Sequence, residues 1–169
     1  MTTATQPYAS TRTATPPLWF LGSPTWVHAT AEQTGGTLGL VEQVLQPGFA
    51  APWHVHHAED EAFYVIEGEL TFLCGDQCIA AGAGTFVYGP REIPHGFRVE
   101  GSDPARMLLL TTPGAFINFV LDLSEPAPPS GPPNMGHLLA VAARYNVEIL
   151  GPPDETIRRI EEHAGGNEG

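Results

Sequence analysis

The sequence predicts an all-β domain, a small antiparallel barrel followed by short helices. Two observations carry that expectation. From about residue 19 to 112, short runs rich in Val, Ile, Leu, Phe, Tyr and Thr alternate with Gly- and Pro-containing turns, and no helical period interrupts them. That pattern argues against a parallel α/β sheet. The turns are Gly35-Gly36, Gln46-Pro47-Gly48, Gly75-Asp76, Gly82-Ala83-Gly84, Gly89-Pro90 and Gly101-Ser102-Asp103-Pro104. They bound nine strands, over residues 26–30, 37–45, 53–56, 62–67, 69–74, 78–80, 85–88, 95–99 and 106–111.

Beyond residue 112 the period changes. Phe116, Phe119, Val120 and Leu123 recur at helical spacing and predict an amphipathic helix over 115–123. Residues 125–134 hold five prolines and no apolar period, and read as a linker. Helices follow over 138–145 and 155–163, with Ile157 and Ile160 on one face of the last, and residues 164–169 are expected to fray. The organisation expected is an N-terminal arm over 1–18, disordered or extended, a barrel over 19–112, and a C-terminal helical extension with a Pro-rich linker over 113–169. The barrel shows no internal repeat.

A chain of 169 residues, 42% of them hydrophobic, suits one domain with a real core. Nineteen Asp and Glu stand against seven Arg and no Lys, a formal net charge of −12. Such a chain repels phosphate backbones and anionic lipid, so neither nucleic acid nor membrane is an expected partner. It also lacks the cationic clusters that pair with phosphate-bearing substrates. The first seventeen residues show neither a basic start nor an apolar run of signal-peptide length, and the protein is expected in the cytoplasm. Cys74 and Cys78 flank a Gly75-Asp76-Gln77 turn and are read as thiols rather than a disulfide or a zinc site.

The stretch that carries chemistry runs from Gly48 to Gly68. In a strand, residues two apart share a face, so His54 and His56 present their imidazoles together while Val55 turns away. A short loop brings Glu61 in at the start of the next strand, and His95 opens a later one. Three histidines and a carboxylate at this spacing suit a divalent transition metal: Ni, Co, Fe, Mn, Cu or Zn, one ion per chain. His57 has the parity of Val55 and is expected to point outward or to support the ligands. Glu59, Asp60 and Glu67 are expected to be solvated, and His28, His137 and His163 belong to no motif. Phe63 and Phe97 share the parity of Glu61 and His95 and should face the cavity. Phe116 and Phe119 either cap its mouth as further substrate contacts or staple their helix to the barrel.

These segments resemble the paired motifs of the cupin superfamily: Gly48, five residues, His54-x-His56, four residues, Glu61, six residues, Gly68; then Gly84, five residues, Pro90, and His95. The resemblance covers roughly residues 48–99 and implies a double-stranded β-helix barrel with His54, His56, Glu61 and His95 as metal ligands. The second motif usually has Gly where this chain has Glu92, and often Asn where it has Val99. Glu92 enters a turn built for Gly less easily.

Within the superfamily, residues 56–72, 90–98 and 145–152 look most like the small single-barrel relatives of quercetin 2,3-dioxygenase. That family opens the central ring of flavonols with dioxygen, releasing carbon monoxide and leaving a phenolic ester. The resemblance implies a small aromatic or enolisable substrate, dioxygen as co-substrate, and Glu61 as both ligand and base. Two alternatives stay open: a redox-neutral isomerase, cyclase or decarboxylase using the same centre, and a non-catalytic small-molecule-binding cupin. A homodimer that hides a sheet edge is the expected assembly.

Overall fold

In the computed structural model, which describes residues 5–165, each of the nine expected strands forms and three short ones join them. In chain order the elements are β1 Leu18–Phe20, β2 Ser23–Ala29, β3 Gly39–Leu45, β4 Trp53–His56, β5 Asp60–Glu67, β6 Leu70–Cys74, β7 Gln77–Ala81, β8 Phe86–Gly89, β9 His95–Val99 and β10 Ala105–Thr112. Then come α1 Phe116–Leu123, β11 Ser124–Glu125, α2 Met135–Arg144, β12 Val147–Gly151 and α3 Pro153–Gly165. Two antiparallel sheets result, in the orders β11-β1-β2-β3-β10-β5-β8 and β12-β4-β9-β6-β7.

Alternation builds the core between the sheets. Along β10, Ala105, Met107, Leu109 and Thr111 are buried while Arg106, Leu108 and Leu110 turn outward. From the facing sheet, Leu70 and Phe72 of β6 and Phe97 and Val99 of β9 meet the inner residues of β3 and β5. The ring pairs Phe63–Phe72 and Phe72–Phe97 stand 4.9 and 5.2 Å apart and fill the closed end of the barrel. Cys74 is buried and Cys78 exposed, both free, because the register pairs Cys74 with Gln77 and Leu73 with Cys78.

The segments outside the expected barrel are tied to it. Over residues 5–17 no strand forms, but the Tyr8 hydroxyl donates to the His28 carbonyl at 3.0 Å and Arg12 reaches Glu42 at 3.1 Å. Glu42 is buried, which raises its carboxyl, but bonds from Arg12, Arg106 and His28 outweigh that and hold it below its ordinary value. At the other end, β11 extends the first sheet beside β1, and β12 extends the second beside β4. Neither strand was expected from the sequence. The first four residues of the arm, and the fraying expected of residues 166–169, lie outside the described residues; Ala164 and Gly165 still belong to α3. No helix among the described residues is long and apolar enough to cross a membrane.

Helix α3 packs on the outer side of the second sheet, where Ile160 joins Trp53 and Leu73. Full burial of an isoleucine contributes about 1.5–3 kcal/mol. Its helical neighbour one turn earlier, Thr156, is buried too and donates to the Ala51 carbonyl at 2.7 Å, while Ile157 is only half-buried. Thr156 fits because residue 96 is glycine: a Cβ there would stand 2.7 Å from both Thr156 Cγ2 and Oγ1. A β-branched side chain fixed by a buried hydrogen bond cannot swing aside. Gly96→Ala is therefore expected to destabilise the fold by about 1–3 kcal/mol, the range for overpacking a filled site. Urea melts of the two proteins check this through the shift in midpoint.

Candidate metal centre

The pleat of β4 sends His54 and His56 into the barrel, and the next strand in the sheet supplies His95, which sits directly opposite His54. Glu61 comes from the other sheet, near the start of β5, where it pairs in register with Thr111 and Gly89. One ligand-type atom from each of the four residues lies within 4.8 Å of all the others. The Nε2 atoms of His95, His56 and His54 stand 2.8, 3.3 and 4.0 Å from Glu61 Oε2. His56, Glu61 and His95 are only 1, 2 and 1% exposed, and His54 faces the remaining opening.

The outer nitrogens fix the rings. His54 Nδ1 lies 2.7 Å from the Pro52 carbonyl and His95 Nδ1 3.0 Å from that of Ile93. A carbonyl only accepts, so each Nδ1 carries the hydrogen and the neutral ring turns its Nε2 lone pair inward. His56 is different. Both of its nitrogens are buried without a hydrogen-bond partner, and its Nδ1 faces Glu59 Oε2 at 3.8 Å. A buried imidazole with two orphan nitrogens, beside two rings whose lone pairs converge on a carboxylate, fits a divalent transition ion held by three nitrogens and one oxygen.

Electrostatics follow the same geometry. Burial raises the Glu61 carboxyl, but its nearness to the His56 and His95 rings outweighs that and holds Glu61 well below the carboxylate range. Burial lowers His56, and the charge of Glu61 with a contribution from Glu59 reverses this, raising the ring to about 9. His54, buried beside two other imidazoles, is driven down to about 3.

The other expected site residues divide. Phe97, Phe116 and Phe119 line a small cavity, about 50 Å³, that reaches His54 and Glu61 and opens at the surface. Phe116 stands edge-on to His56 with centroids 4.6 Å apart and stacks on Phe119 at 5.0 Å. No Arg lines this space. Phe63 does not line it, contrary to the expectation from parity. Two positions further along β5 than Glu61, it is 1% exposed and closed in by Phe72 and Phe97, so it forms a packed floor behind the His/Glu cluster. Glu59 is also corrected: it is 4% exposed rather than solvated, because the loop after β4 folds its side chain back toward His56.

Asp60 and His57 brace the site from outside. Arg91 gives Asp60 a backbone N–H and its Nε–H, both at 3.0 Å, which hold the Asp60 carboxyl down at about 2. His57 points outward, as its parity predicts, and bridges Glu92 at 2.8 Å and Glu148 at 3.0 Å; both bonds raise its pKa. Glu92 sits at φ 66°, the left-handed backbone anticipated at this turn. Its own N–H donates to the His56 carbonyl at 2.8 Å, so the strained residue is held between two neighbours in the motif.

Several cavity residues were not anticipated. Gln43 reaches the cavity from β3, its Nε2 donating to Thr25 Oγ1 at 3.2 Å, and Val147 and Ile149 reach it from β12. The alternation of Val147 and Ile149 between Asn146 and Gly151-Pro152 was the available signal for that strand.

Comparison with known proteins agrees with this geometry. Residues 41–111 match the sequence profile of the cupin domain. The middle of the barrel is thus similar to the cupin domain. Over 98 residues the chain is 29% identical to quercetin 2,3-dioxygenase of Bacillus subtilis (strain 168), an alignment that covers 58% of this chain and 29% of that protein. The chain therefore spans less than a third of that relative's length. Its fold resembles that of a predicted oxalate decarboxylase from Thermotoga maritima, with TM-score 0.56 and 16% identity over 60% of this chain and 96% of the other. A polyketide cyclase from Streptomyces resistomycificus gives TM-score 0.53 and 20% identity over 63% and 80% of the two chains. At those identities the likeness is one of fold.

Replacing His54 or His95 by Ala removes an inward lone pair while leaving the apolar core between the sheets in place. Metal content by elemental analysis is expected to fall sharply in both variants. The affinity loss should exceed the roughly 10–100-fold that follows loss of an outer-shell partner. Far-ultraviolet circular dichroism should stay that of the folded barrel.

Proposed function

We propose that this cupin is a metal-dependent dioxygenase that cleaves a flavonol or a related enolisable phenol. One observation carries the reading: four donor atoms suited to a transition ion converge at the inner end of an aromatic cavity lined by no Arg. A flat, neutral phenol suits such apolar walls, which offer no Arg to pair with a phosphate. The 29% identity to a quercetin 2,3-dioxygenase supports the same class.

In this reading His54, His56, Glu61 and His95 hold one divalent ion. The ion supplies Lewis acidity that makes a bound hydroxyl acidic and steadies the resulting enolate. Phe97 and the stacked Phe116 and Phe119 orient the ring system and keep water out. Glu61, ionised at neutral pH, takes the hydroxyl proton on a carboxylate oxygen. Dioxygen then adds to the intact enolate, and both its oxygen atoms end in the products as the central ring opens to a phenolic ester with release of carbon monoxide. The assembly belonging to this reading is a homodimer; a monomeric mass in light scattering at working concentration would count against it.

Oxygen uptake with a panel of flavonols, under each candidate metal, tests the reaction. Uptake with at least one flavonol is expected, and none with any would move redox-neutral chemistry into first place. Glu61→Gln should abolish turnover even where metal is retained, because an amide oxygen can still face the ion but cannot take the proton at neutral pH. Full activity in that variant would assign the base to another group.

A further inference from the structure

We propose that Glu59 is the positioning residue for His56, its carboxylate taking the Nδ1 hydrogen so that Nε2 is aimed at the ion; this rests on reading His54, His56, Glu61 and His95 as ligands. The first support is the state of Glu59 itself. A carboxylate buried in a loop without a partner is expensive, and its Oε2 has none. It faces His56 Nδ1 at 3.8 Å, from which a small side-chain shift reaches the ~2.7–2.9 Å of a charge-assisted bond.

The second support is the pattern of the other two rings. His54 and His95 each hand their Nδ1 hydrogen to a backbone carbonyl two residues earlier, Pro52 and Ile93. For His56 the corresponding carbonyl is not used, and the acceptor presented to its Nδ1 is Glu59. Three of the four buried side-chain atoms without partners among the described residues are His56 Nδ1, His56 Nε2 and Glu59 Oε2. An ion at Nε2 and a hydrogen shared between Nδ1 and Glu59 satisfy all three at once.

Charge gives the third support. A divalent ion with three neutral imidazoles and the Glu61 carboxylate leaves one uncompensated positive charge inside the barrel. Glu59 lies one ring further out and supplies the balancing negative charge in a place where uncompensated charge is costly. His56 differs from its two partners accordingly: it is the ring whose donor strength a carboxylate raises.

The test uses the full chain and Zn(II) as the probe, with affinity measured against a competing chelator. Glu59→Ala is expected to weaken Zn(II) binding about 10–100-fold, and Glu59→Gln by less, since the amide oxygen accepts the hydrogen without the charge. A loss of packing alone could lower affinity, so the second readout is the imidazole N–H spectrum of the Zn(II)-loaded protein by nitrogen-15 NMR. The His56 Nδ1–H resonance should move in Glu59→Gln while those of His54 and His95 stay in place. Wild-type affinity and an unmoved His56 resonance in Glu59→Gln overturn the assignment, as does a parallel shift of all three rings. A wild-type protein that takes up no Zn(II) would instead overturn the metal reading, and this inference with it. If Glu59→Ala does not fold, the Gln variant carries the decision.

Discussion

An imidazole aims its lone pair at a fixed point inside a barrel when its other nitrogen is held by an acceptor, and for His54 and His95 this constraint organises the region around the cavity. The carbonyls that engage His54 and His95 belong to Pro52 and Ile93, and a proline lies at or beside each: Pro52 itself, and Pro94 after Ile93. Proline fixes its own φ and drives the preceding residue into extended backbone. Both histidine-bearing strands are thus stiffened at the point where a carbonyl must be held still. The Pro94 carbonyl in turn accepts from Gly75 N–H at 2.8 Å, tying that entry to the β6–β7 turn. Polar groups gathered in this way cost stability that an apolar core would not, and the packed phenylalanine floor beneath them offsets part of it.

A second layer of polar contacts holds the turns from outside. Asp60 clips the start of β5 to Arg91, and His57 clips the end of β4 to Glu92 and, across the sheet edge, to Glu148 of β12. Because these groups are partly or largely exposed, each ion pair alone is worth little. Their effect is geometric: Glu92 occupies a left-handed conformation that costs a side-chain-bearing residue of order 1 kcal/mol or more, and contacts from both neighbouring elements keep it there. The departure from the motif at position 92 is therefore compensated locally. It also gives His57, which shares no face with the ligands, a reason to be histidine.

Much of this was legible because period two is a strong signal. The parity of His54 and His56, the entry of Glu61 and the outward turn of His57 follow from the pleat alone, and the structure places each where parity puts it. Parity gives a face but not a depth. Phe63 shares the face of Glu61 yet lies below the cavity floor, since the distance along the barrel axis depends on which side chains of the opposite sheet fill the space. Glu59 was misread for a related reason: an acidic residue in a loop is solvated unless tertiary structure folds over it, and no local pattern reports that. The strands β1 and β11 span three and two residues, too short for alternation to register, and β12 follows a helix and a long proline-rich segment that mask its short pattern.

The aromatic wall depends on close approaches that only missing side chains permit. A Cβ on Gly39 would stand 2.1 Å from Ile117 Cγ1, and one on Gly114 would stand 2.4 Å from the Leu38 carbonyl oxygen. These contacts seat α1 directly on β3, and with the helix at that height Phe116 meets the edge of His56 while Phe119 packs against Phe20 at 5.9 Å and Tyr145 at 6.0 Å. Raising the helix by the width of a methyl group would draw Phe116 away from the ring and admit water beside it. Charge interactions inside the site are strong only while that water is excluded, because their strength scales inversely with the local dielectric. Two glycines outside the ligand motif therefore help set the polarity of the space in which Glu61 and the three imidazoles act.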